Sequence, residues 1–491
     1  MTITFNVVLI IFQILLVLRY GEGYNLFGEA GQAYSIEIYI GRPIQKLNVI
    51  VDTGSTTLAI ASYPRREHDK YFETNNSTTF EDSGMQIQAK YSQGNWVGRL
   101  VSDVVEIPSL SLPQVRANMA IITKSYKFFV NGSGWQGLLG LAYLPVGAWG
   151  DHVIVESWMD SLDARLQRPT SFELNLCGPQ SVTNVTHYGN LRVLDIYSEI
   201  VSDIIFRTPI LHKRWYEVGV LSIRVLTNKT EELIVNKNIT TDAQNFEVDM
   251  CRKLNHQKSI VDSGTTNIRL PDALFRQVVD QLKKVVQVAN TQYPSNIILD
   301  NFWDHAEAAC WPEPQQWSLP WLAIDLLSAE SDYQYYTLEI PPQNYMRVAS
   351  AHNSSGESGT VSEFCYKLGL EAGGQETVLG YTAMEGFELL FNRSAGWIGF
   401  KTSDCGPKTR ITGPYNVTHS ITSSCQLITP KTDMAISIKA AQWALCVISI
   451  VAATVLIYLL APCIKMLLVK PLPRSTQISM SQTALVDQDI T

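Results

Sequence analysis

Residues 49–57, which read VIVDTGSTT, contain the pattern that decides the fold. A run of apolar, mostly β-branched residues ends at Asp52, and a hydroxyl residue and a glycine follow it. The same order recurs at residues 259–267, SIVDSGTTN, where Asp262 ends the run. One such turn usually does no more than close a strand, because Asp and Gly both favour turns. Two copies, each behind an apolar strand, indicate an internal duplication that supplies two carboxylates.

A second repeated pattern follows each aspartate. Residues 137–143 read GLLGLAY, and residues 377–381 read TVLGY. Glycine after two apolar residues lets another stretch of backbone pass close behind it, because glycine has no Cβ. The matched order of the two patterns strengthens the interpretation of two related halves.

Alternation of apolar and polar residues predicts a mainly β fold. Tyr91 and Trp96 flank the predicted hairpin tip at Ser92-Gln-Gly-Asn95, so this hairpin is a candidate lid over a cleft. A plain cross-strand aromatic pair is the alternative. The predicted elements are strands at residues 36–40, 47–52 and 58–61, a hairpin at 85–107, and helices at 155–166 and 272–286, the second capped by Asp272.

Both ends of the chain carry apolar segments. In residues 1–22 a short apolar run followed by small residues predicts a secretory signal peptide. Residues 440–463 are uncharged, and at 1.5 Å per residue they reach about 36 Å, enough for a bilayer core of ~30 Å. Basic residues beyond this segment predict a cytoplasmic tail at 464–491 and a single-pass type I membrane protein. A buried core helix is the alternative.

The cysteines and glycosylation motifs favour an oxidising compartment. Six cysteines lie between the two apolar segments, and an even count predicts three disulfides with fifteen possible pairings. No C-x-x-C spacing suggests a metal site, and a net charge of -8 argues against nucleic acid as a partner. Asn392 is expected to be folded into a strand and to remain unglycosylated. The sequons are at Asn75, Asn76, Asn131, Asn184, Asn228, Asn238, Asn353, Asn392 and Asn416.

Two facing carboxyl groups can carry out amide hydrolysis. At ~4 Å and an effective dielectric constant of 20, two like charges repel by about 4 kcal/mol, so the pair holds one proton. The ionised carboxylate activates a water molecule, and the protonated carboxyl polarises a carbonyl or protonates a leaving amine. This chemistry favours acid pH and needs no cofactor or metal. The hydroxyl residues expected to orient the carboxylates are Thr53, Ser55, Ser263 and Thr265.

Other hydrolase classes lack their usual patterns. The sequence contains no His-Glu-x-x-His of the zinc proteases and no Gly-x-Ser-x-Gly of the serine hydrolases.

The chain resembles the pepsin-like aspartic proteases, and among them the membrane-anchored beta-secretases (memapsins). The resemblance extends from about Gly31 to Cys425, and the segments that carry it are QKLN at 45–48, YSQGNW at 91–96, KFF at 127–129 and KSIVDSGTTNIRLP at 258–271. It implies a bilobal β fold with an active-site cleft between lobes at residues 30–195 and 196–407. A stalk at 408–439 would lead to the transmembrane helix.

The resemblance also implies roles for individual residues. Asp52 and Asp262 would be the catalytic pair, Tyr91 the flap tyrosine and Trp96 its hydrogen-bond partner. Phe128 and Trp135 would line the pocket before the cut bond, and Arg269 would favour acidic or polar substrate residues. The implied disulfides are Cys177–Cys405, Cys251–Cys425 and Cys310–Cys365. One departure is that Thr56 and Thr57 stand where the family usually has Ser and Asn.

The sequence therefore predicts a membrane-anchored aspartic endopeptidase similar to beta-secretase, acting on peptide bonds in the ectodomains of type I membrane proteins. Its catalytic domain would be luminal or extracellular, in the Golgi, in endosomes or at the cell surface. The alternative is a retired protease scaffold that serves as a binding or adhesion ectodomain.

Overall fold

The computed structural model describes residues 23–28, 33–65, 69–91, 94–129, 133–143, 156–179, 186–194, 205–226, 241–288, 300–305, 307–311, 319–356, 359–427 and 434–468. The predicted signal peptide, Ser92 in the hairpin turn and residues 469–491 of the predicted tail lie outside these ranges. The chain divides into two compact units, residues 1–428 and 429–491.

The first unit is built mainly from β-strands. Its strands are β1 (Leu26–Gly28), β2 (Ser35–Ile40), β3 (Gln45–Asp52), β4 (Leu58–Ala61), β5 (Glu81–Tyr91), β6 (Gly94–Glu106), β7 (Val115–Tyr126), β8 (Gly137–Gly140), β9 (Ser171–Pro179), β10 (His187–Leu194), β11 (Phe206–Pro209), β12 (Val220–Leu226), β13 (Ser259–Val261), β14 (Ile268–Leu270), β15 (Ala309–Trp311), β16 (Trp321–Leu327), β17 (Gln334–Ile340), β18 (Met346–Gly356), β19 (Gly359–Leu368), β20 (Leu370–Ala372), β21 (Thr377–Leu379), β22 (Phe387–Asn392), β23 (Trp397–Thr402) and β24 (Arg410–Asn416). Its helices are α1 (Trp158–Leu166), α2 (Thr241–Leu254), α3 (Asp272–Val288), α4 (Asp300–His305), α5 (Pro342–Tyr345) and α6 (Ile421–Cys425).

Both predicted helices form, but α1 starts later than predicted and α3 extends past its predicted end. Helix α1 starts at Trp158 because Ser157 caps it: the Ser157 hydroxyl accepts a hydrogen bond from the Asp160 N–H at 3.1 Å. Asp272 lies in the first turn of α3, where its carboxylate accepts a hydrogen bond from Gly374 N–H at 2.8 Å. Asp272 therefore ties α3 to a neighbouring loop.

A thirteen-stranded sheet runs through both halves of the sequence, in the order β11-β23-β22-β9-β10-β1-β2-β3-β8-β4-β7-β6-β5. Strand β9 from the first half pairs antiparallel with β22 from the second, and Leu174 lies opposite Leu389. The halves are thus joined by backbone hydrogen bonds. Three smaller sheets have the orders β12-β16-β17-β24, β13-β21-β14-β20 and β15-β19-β18.

The same pattern of strand pairing occurs around each aspartate. Strand β3 runs parallel to β8, which is antiparallel to β4, and β4 is parallel to β7. Strand β13 likewise runs parallel to β21, which is antiparallel to β14, and β14 is parallel to β20. This correspondence supports the internal duplication inferred from the sequence.

Glycine is required behind each aspartate turn. A Cβ on Gly140 would lie 2.4 Å from the carbonyl carbon of Thr56, and a Cβ on Gly380 would lie 2.4 Å from the carbonyl oxygen of Asn267. Neither backbone could move away without displacing the turn that carries Asp52 or Asp262. The two glycine patterns therefore have the packing role expected of them.

Aromatic side chains fill the core where the halves meet. Phe172 of β9 and Phe391 of β22 stack with ring centroids 4.6 Å apart, and Tyr216 packs edge-on 4.7 Å from Phe391. The buried Tyr216 hydroxyl donates a hydrogen bond to Leu141 O at 2.6 Å. Such aromatic pairs contribute about 0.5–1.5 kcal/mol each beyond their buried area. This core holds the two aspartate turns in register.

Three disulfides connect distant parts of the first unit. They are Cys177–Cys405, Cys251–Cys425 and Cys310–Cys365, the pairs that the resemblance implied. The first joins β9 to the chain that follows β23. Each such bridge contributes about 2–4 kcal/mol, mainly by restricting the unfolded chain.

The segment predicted as a stalk at residues 408–439 is partly folded into the first unit, which corrects that boundary. Strand β24 pairs antiparallel with β17, and α6 carries Cys425 to its disulfide with Cys251. The residues are mostly polar because β24 lies at the edge of its sheet, where one side faces solvent. The sequence of β24 therefore lacks the alternation of apolar and polar residues that identifies a strand.

The second unit contains helix α7 (Met434–Leu468), which covers the segment 440–463 predicted to cross the membrane. Large apolar side chains along it are exposed, among them Trp443, Ile448, Ile457 and Tyr458. In the part of the chain that the structure describes, no helix meets the length and hydropathy expected of a membrane-spanning segment.

Candidate active site

Asp52 is the last residue of β3 and Asp262 directly follows β13, and each carboxylate is held by its own turn. The Gly54 N–H donates to Asp52 Oδ1 at 2.8 Å, and the Ser55 hydroxyl donates to Oδ2. Around Asp262, the Gly264 N–H donates at 2.8 Å and the Thr265 hydroxyl at 2.7 Å. The hydroxyls of Ser55 and Thr265 therefore each hydrogen-bond the carboxylate of their own turn.

Thr53 and Ser263 have a different role from the one predicted, because their hydroxyls face the opposite strand. The Thr53 N–H donates to Ser263 Oγ at 3.1 Å, and the Ser263 N–H donates to Thr53 Oγ1 at 2.9 Å. The Thr53 hydroxyl donates to Val261 O at 2.9 Å, and the Ser263 hydroxyl donates to Val51 O at 2.6 Å. We call this reciprocal set of four buried hydrogen bonds the cross-strand clamp. It fixes the two turns to each other.

The clamp brings the two carboxyl groups together. A Cβ on Gly54 would lie 2.4 Å from Asp262 Cγ, and a Cβ on Gly264 would lie 2.4 Å from Asp52 Oδ1. The pKa of Asp52 is held well above its usual range, mainly by burial and then by the charge of Asp262 and a hydrogen bond to the Asp262 side chain. The pair therefore retains a proton that two separate aspartates would release.

A cavity of about 690 Å³ opens over the two carboxyl groups. Both aspartates line it, together with every aromatic and basic residue named from the sequence: Tyr91, Trp96, Phe128, Trp135 and Arg269. A volume of this size accommodates a peptide segment. Side chains from both halves of the sequence thus form one site.

The hairpin of β5 and β6, the flap, places Tyr91 at the edge of this cavity. The Tyr91 ring lies 5.3 Å from that of Phe128, whose ring in turn packs edge-on 5.9 Å from Trp135. Burial and the charge of Asp52 raise the pKa of the Tyr91 hydroxyl. The indole of Trp96 lies near the Tyr91 hydroxyl and lowers its pKa. However, Trp96 Nε1 is buried and makes no hydrogen bond to any described residue.

Comparison with known proteins identifies the family. Residues 33–403 match the family model of the eukaryotic aspartyl proteases.

The chain belongs to the eukaryotic aspartyl protease family.

Individual members of the family resemble this chain to different extents. The protein named Beta-secretase from Strongylocentrotus purpuratus is 32% identical over 409 residues, which cover 79% of this chain and 70% of that protein. Pepsin A-5 of Mus musculus is 31% identical over 130 residues, 26% of this chain and 33% of its own. Vacuolar protease A of Aspergillus fumigatus is 25% identical over 248 residues, 49% of this chain and 54% of its own. With the three disulfides, the similarity to Beta-secretase indicates the secretory pathway or an extracellular location.

In this member of the aspartyl protease family, the charge of Arg269 is balanced within the cavity wall. Its Nε lies 2.9 Å from Glu371 Oε1, and the other carboxylate oxygen of Glu371 accepts a hydrogen bond from Asn267 at 2.9 Å. Arg269 therefore brings less free positive charge to the site than the resemblance implied.

Sequence reasoning missed three cavity residues on the side of Asp262: Arg214, Trp215 and Lys258. The guanidinium of Arg214 lies over the Trp215 ring at 4.3 Å, and Lys258 Nζ lies 5.1 Å from the same ring. Residues 212–217 read HKRWYE, so a basic and aromatic pattern was available, but nothing in it pointed to the aspartates. Among the described residues, no group of three His, Cys, Asp or Glu side chains is arranged to hold a metal.

Proposed function

We propose that this protein is an aspartic endopeptidase in which Asp52 and Asp262 share one proton and activate a water molecule between them. The observation that carries the proposal is the clamped pair itself: two carboxyl groups on matched turns, which line one cavity. Two further facts support the proposal: the chain belongs to a peptidase family, and it has both turns in which Asp is followed by a hydroxyl residue and Gly.

The mechanism follows from the state of the pair. The ionised carboxylate takes a proton from water as the water attacks the peptide carbonyl, while the protonated carboxyl donates to the carbonyl oxygen. Collapse of the tetrahedral intermediate returns a proton to the leaving amine. Ser55, Thr265 and the two glycine N–H groups hold the carboxylates so that little reorganisation accompanies the reaction.

Tyr91 and the aromatic side chains beside it would cover the substrate. Phe128 and Trp135 form an apolar wall next to the flap, which suits an apolar side chain before the cut bond. The hairpin is the element that would close over a bound peptide and exclude water.

The test is cleavage of a fluorogenic peptide by the full chain in detergent between about pH 4 and 5. The variant Asp52→Asn keeps the shape of the side chain but cannot share the proton, so we expect kcat to fall by at least about a thousandfold. Thr123→Val, an exposed change on β7 away from the cavity, serves as the control. Equal activity in Asp52→Asn and the wild type would reject the proposal and leave the binding-scaffold alternative.

We also propose that the protein is anchored in a membrane through α7 and acts on the ectodomains of other membrane proteins. The uncharged stretch 440–463 and its exposed apolar side chains support anchoring. A tether confines enzyme and substrate to one surface and raises their effective concentration. Alkaline extraction of isolated membranes tests the anchor, and release of the protein into the soluble fraction would contradict it.

A further inference from the structure

We propose that Arg214 is a specificity-determining residue that favours an acidic side chain in the substrate. This inference rests on the proposed peptidase function. It differs from the expectation for Arg269, because it assigns the acid preference to another residue on the wall beside Asp262.

Backbone pairing places Arg214 next to the reacting groups. The segment that follows it pairs antiparallel with β13, the strand directly before Asp262: Glu217 lies opposite Ile260, and the Val261 N–H donates to Tyr216 O at 3.0 Å. Antiparallel strands run in opposite directions, so the residues before Glu217 lie opposite the residues after Ile260. Arg214 therefore lies near Asp262. Arg214 is accordingly among the cavity-lining residues.

The charges that line the cavity are unevenly balanced. Besides the two aspartates, the acidic lining residues are Glu371 and Glu376, and each is paired: Glu371 with Arg269 at 2.9 Å and Glu376 with Lys258 at 3.2 Å. Arg214 is exposed and has no carboxylate partner among the described residues. A substrate carboxylate can therefore approach Arg214 without displacing an existing ion pair.

Stacking makes Arg214 better suited to recognition than a free surface cation. Its guanidinium lies on the Trp215 ring at 4.3 Å, which restricts its rotamers while leaving its N–H groups free to donate. Lys90, the other cavity-lining cation without a described ion pair, is an exposed side chain on the flap with no such support. The planar, preordered guanidinium fits a carboxylate with two parallel hydrogen bonds.

The experiment compares matched peptides in which Glu or Gln stands at each of about four positions on either side of the cut bond. The full chain in detergent is assayed at about pH 5.5, where a substrate Glu with a pKa of about 4.3 is ionised. At one position we expect kcat/KM for the Glu peptide to exceed that for the Gln peptide by roughly threefold to tenfold, the range between an exposed ion pair and a charged hydrogen bond. The ratio should decrease at about pH 3.5 and in high salt.

Variants identify the residue responsible. Arg214→Gln should bring the ratio at that position close to one, and Arg214→Glu should make a Lys peptide better than the Glu peptide. Lys90→Gln, the matched change in a cation of the same cavity, should leave the ratio unchanged. A ratio that persists in Arg214→Gln, or that is lost in Lys90→Gln instead, would overturn the inference.

The test separates this inference from the proposed function. Cleavage of the Gln peptides by the wild type, with no preference at any position, would reject the role of Arg214 and leave the peptidase assignment standing. No cleavage of any peptide, with no difference between wild type and Asp52→Asn, would reject both.

Discussion

Removal of one hydroxyl from the cross-strand clamp should destabilise the whole first unit. In Thr53→Val the shape of the side chain is kept, but the Ser263 N–H loses its acceptor and Val261 O loses its donor, each now at 2.9 Å. Thr53 is fully buried, so water cannot replace either bond. A buried group left without its partner costs about 1–3 kcal/mol, so the two groups together give about 2–6 kcal/mol for this substitution.

Urea unfolding of the full chain in detergent, followed by tryptophan fluorescence, measures this effect. With a slope of about 3 kcal/mol per molar urea, a loss of 3 kcal/mol lowers the midpoint by about 1 M. The control is Thr123→Val, which removes an exposed hydroxyl that donates to Val97 O at 3.2 Å, and we expect a change within about 0.5 kcal/mol. A Thr53→Val midpoint indistinguishable from that of the control would refute the reasoning.

The reciprocal change provides a second check. Ser263→Ala removes the partner bonds to Thr53 N–H and Val51 O, at 3.1 and 2.6 Å. Because the two side chains belong to one network, the double variant should cost less than the sum of the single ones. Strict additivity would indicate that the four bonds act independently.

Three further outcomes are expected. Gly54→Ala should lower kcat for peptide hydrolysis by at least about a hundredfold, because the new Cβ would lie 2.4 Å from Asp262 Cγ. The control Gly134→Ala, whose Cβ would have no atom within 4 Å, should leave kcat unchanged. Burial and the neighbouring Glu388 raise the pKa of Glu173 from 4.5 to about 8, so the folded state keeps a proton that the unfolded chain releases, and stability should fall as pH rises from about 4.5 to 8. Glu173→Gln should reduce that fall in urea midpoints, and an unchanged pH profile would contradict the role of this pair. Asn392 is 3% exposed and accepts a hydrogen bond from Ala395 N–H at 2.9 Å, so peptide mapping by mass spectrometry should find no glycan there.

The elements that sequence reasoning predicted are those governed by local patterns. Apolar alternation located β2 and β3, and a four-residue repeat located α3, because each pattern reflects which side of one element is buried. The aspartate pair was also predictable, since duplication places Asp52 and Asp262 at matching strand ends. The strands and the helix depend on neighbours within a few residues, and the aspartate pair depends on a repeat that is visible in the sequence itself.

What the sequence could not predict depends on contacts between distant segments. Whether the Thr53 hydroxyl faces its own carboxylate or the opposite strand is decided by how the halves meet. The balance of Arg269 by Glu371 joins residues more than a hundred positions apart, and the family resemblance did not reveal it. Strand β24 shows too little alternation of apolar and polar residues to be recognised from the sequence. Its pairing with β17, a distant segment, is what stabilises it as a strand.

The division of the site between two halves also determines when, during translation, the proposed activity can first arise. A ribosome delivers Asp52 early, but a lone aspartate turn has no partner and cannot activate water. The residues that complete the clamp come much later, and β22, which closes the sheet against β9, comes later still. Under the proposed mechanism, the nascent chain therefore cannot cut peptide bonds until both halves have been made.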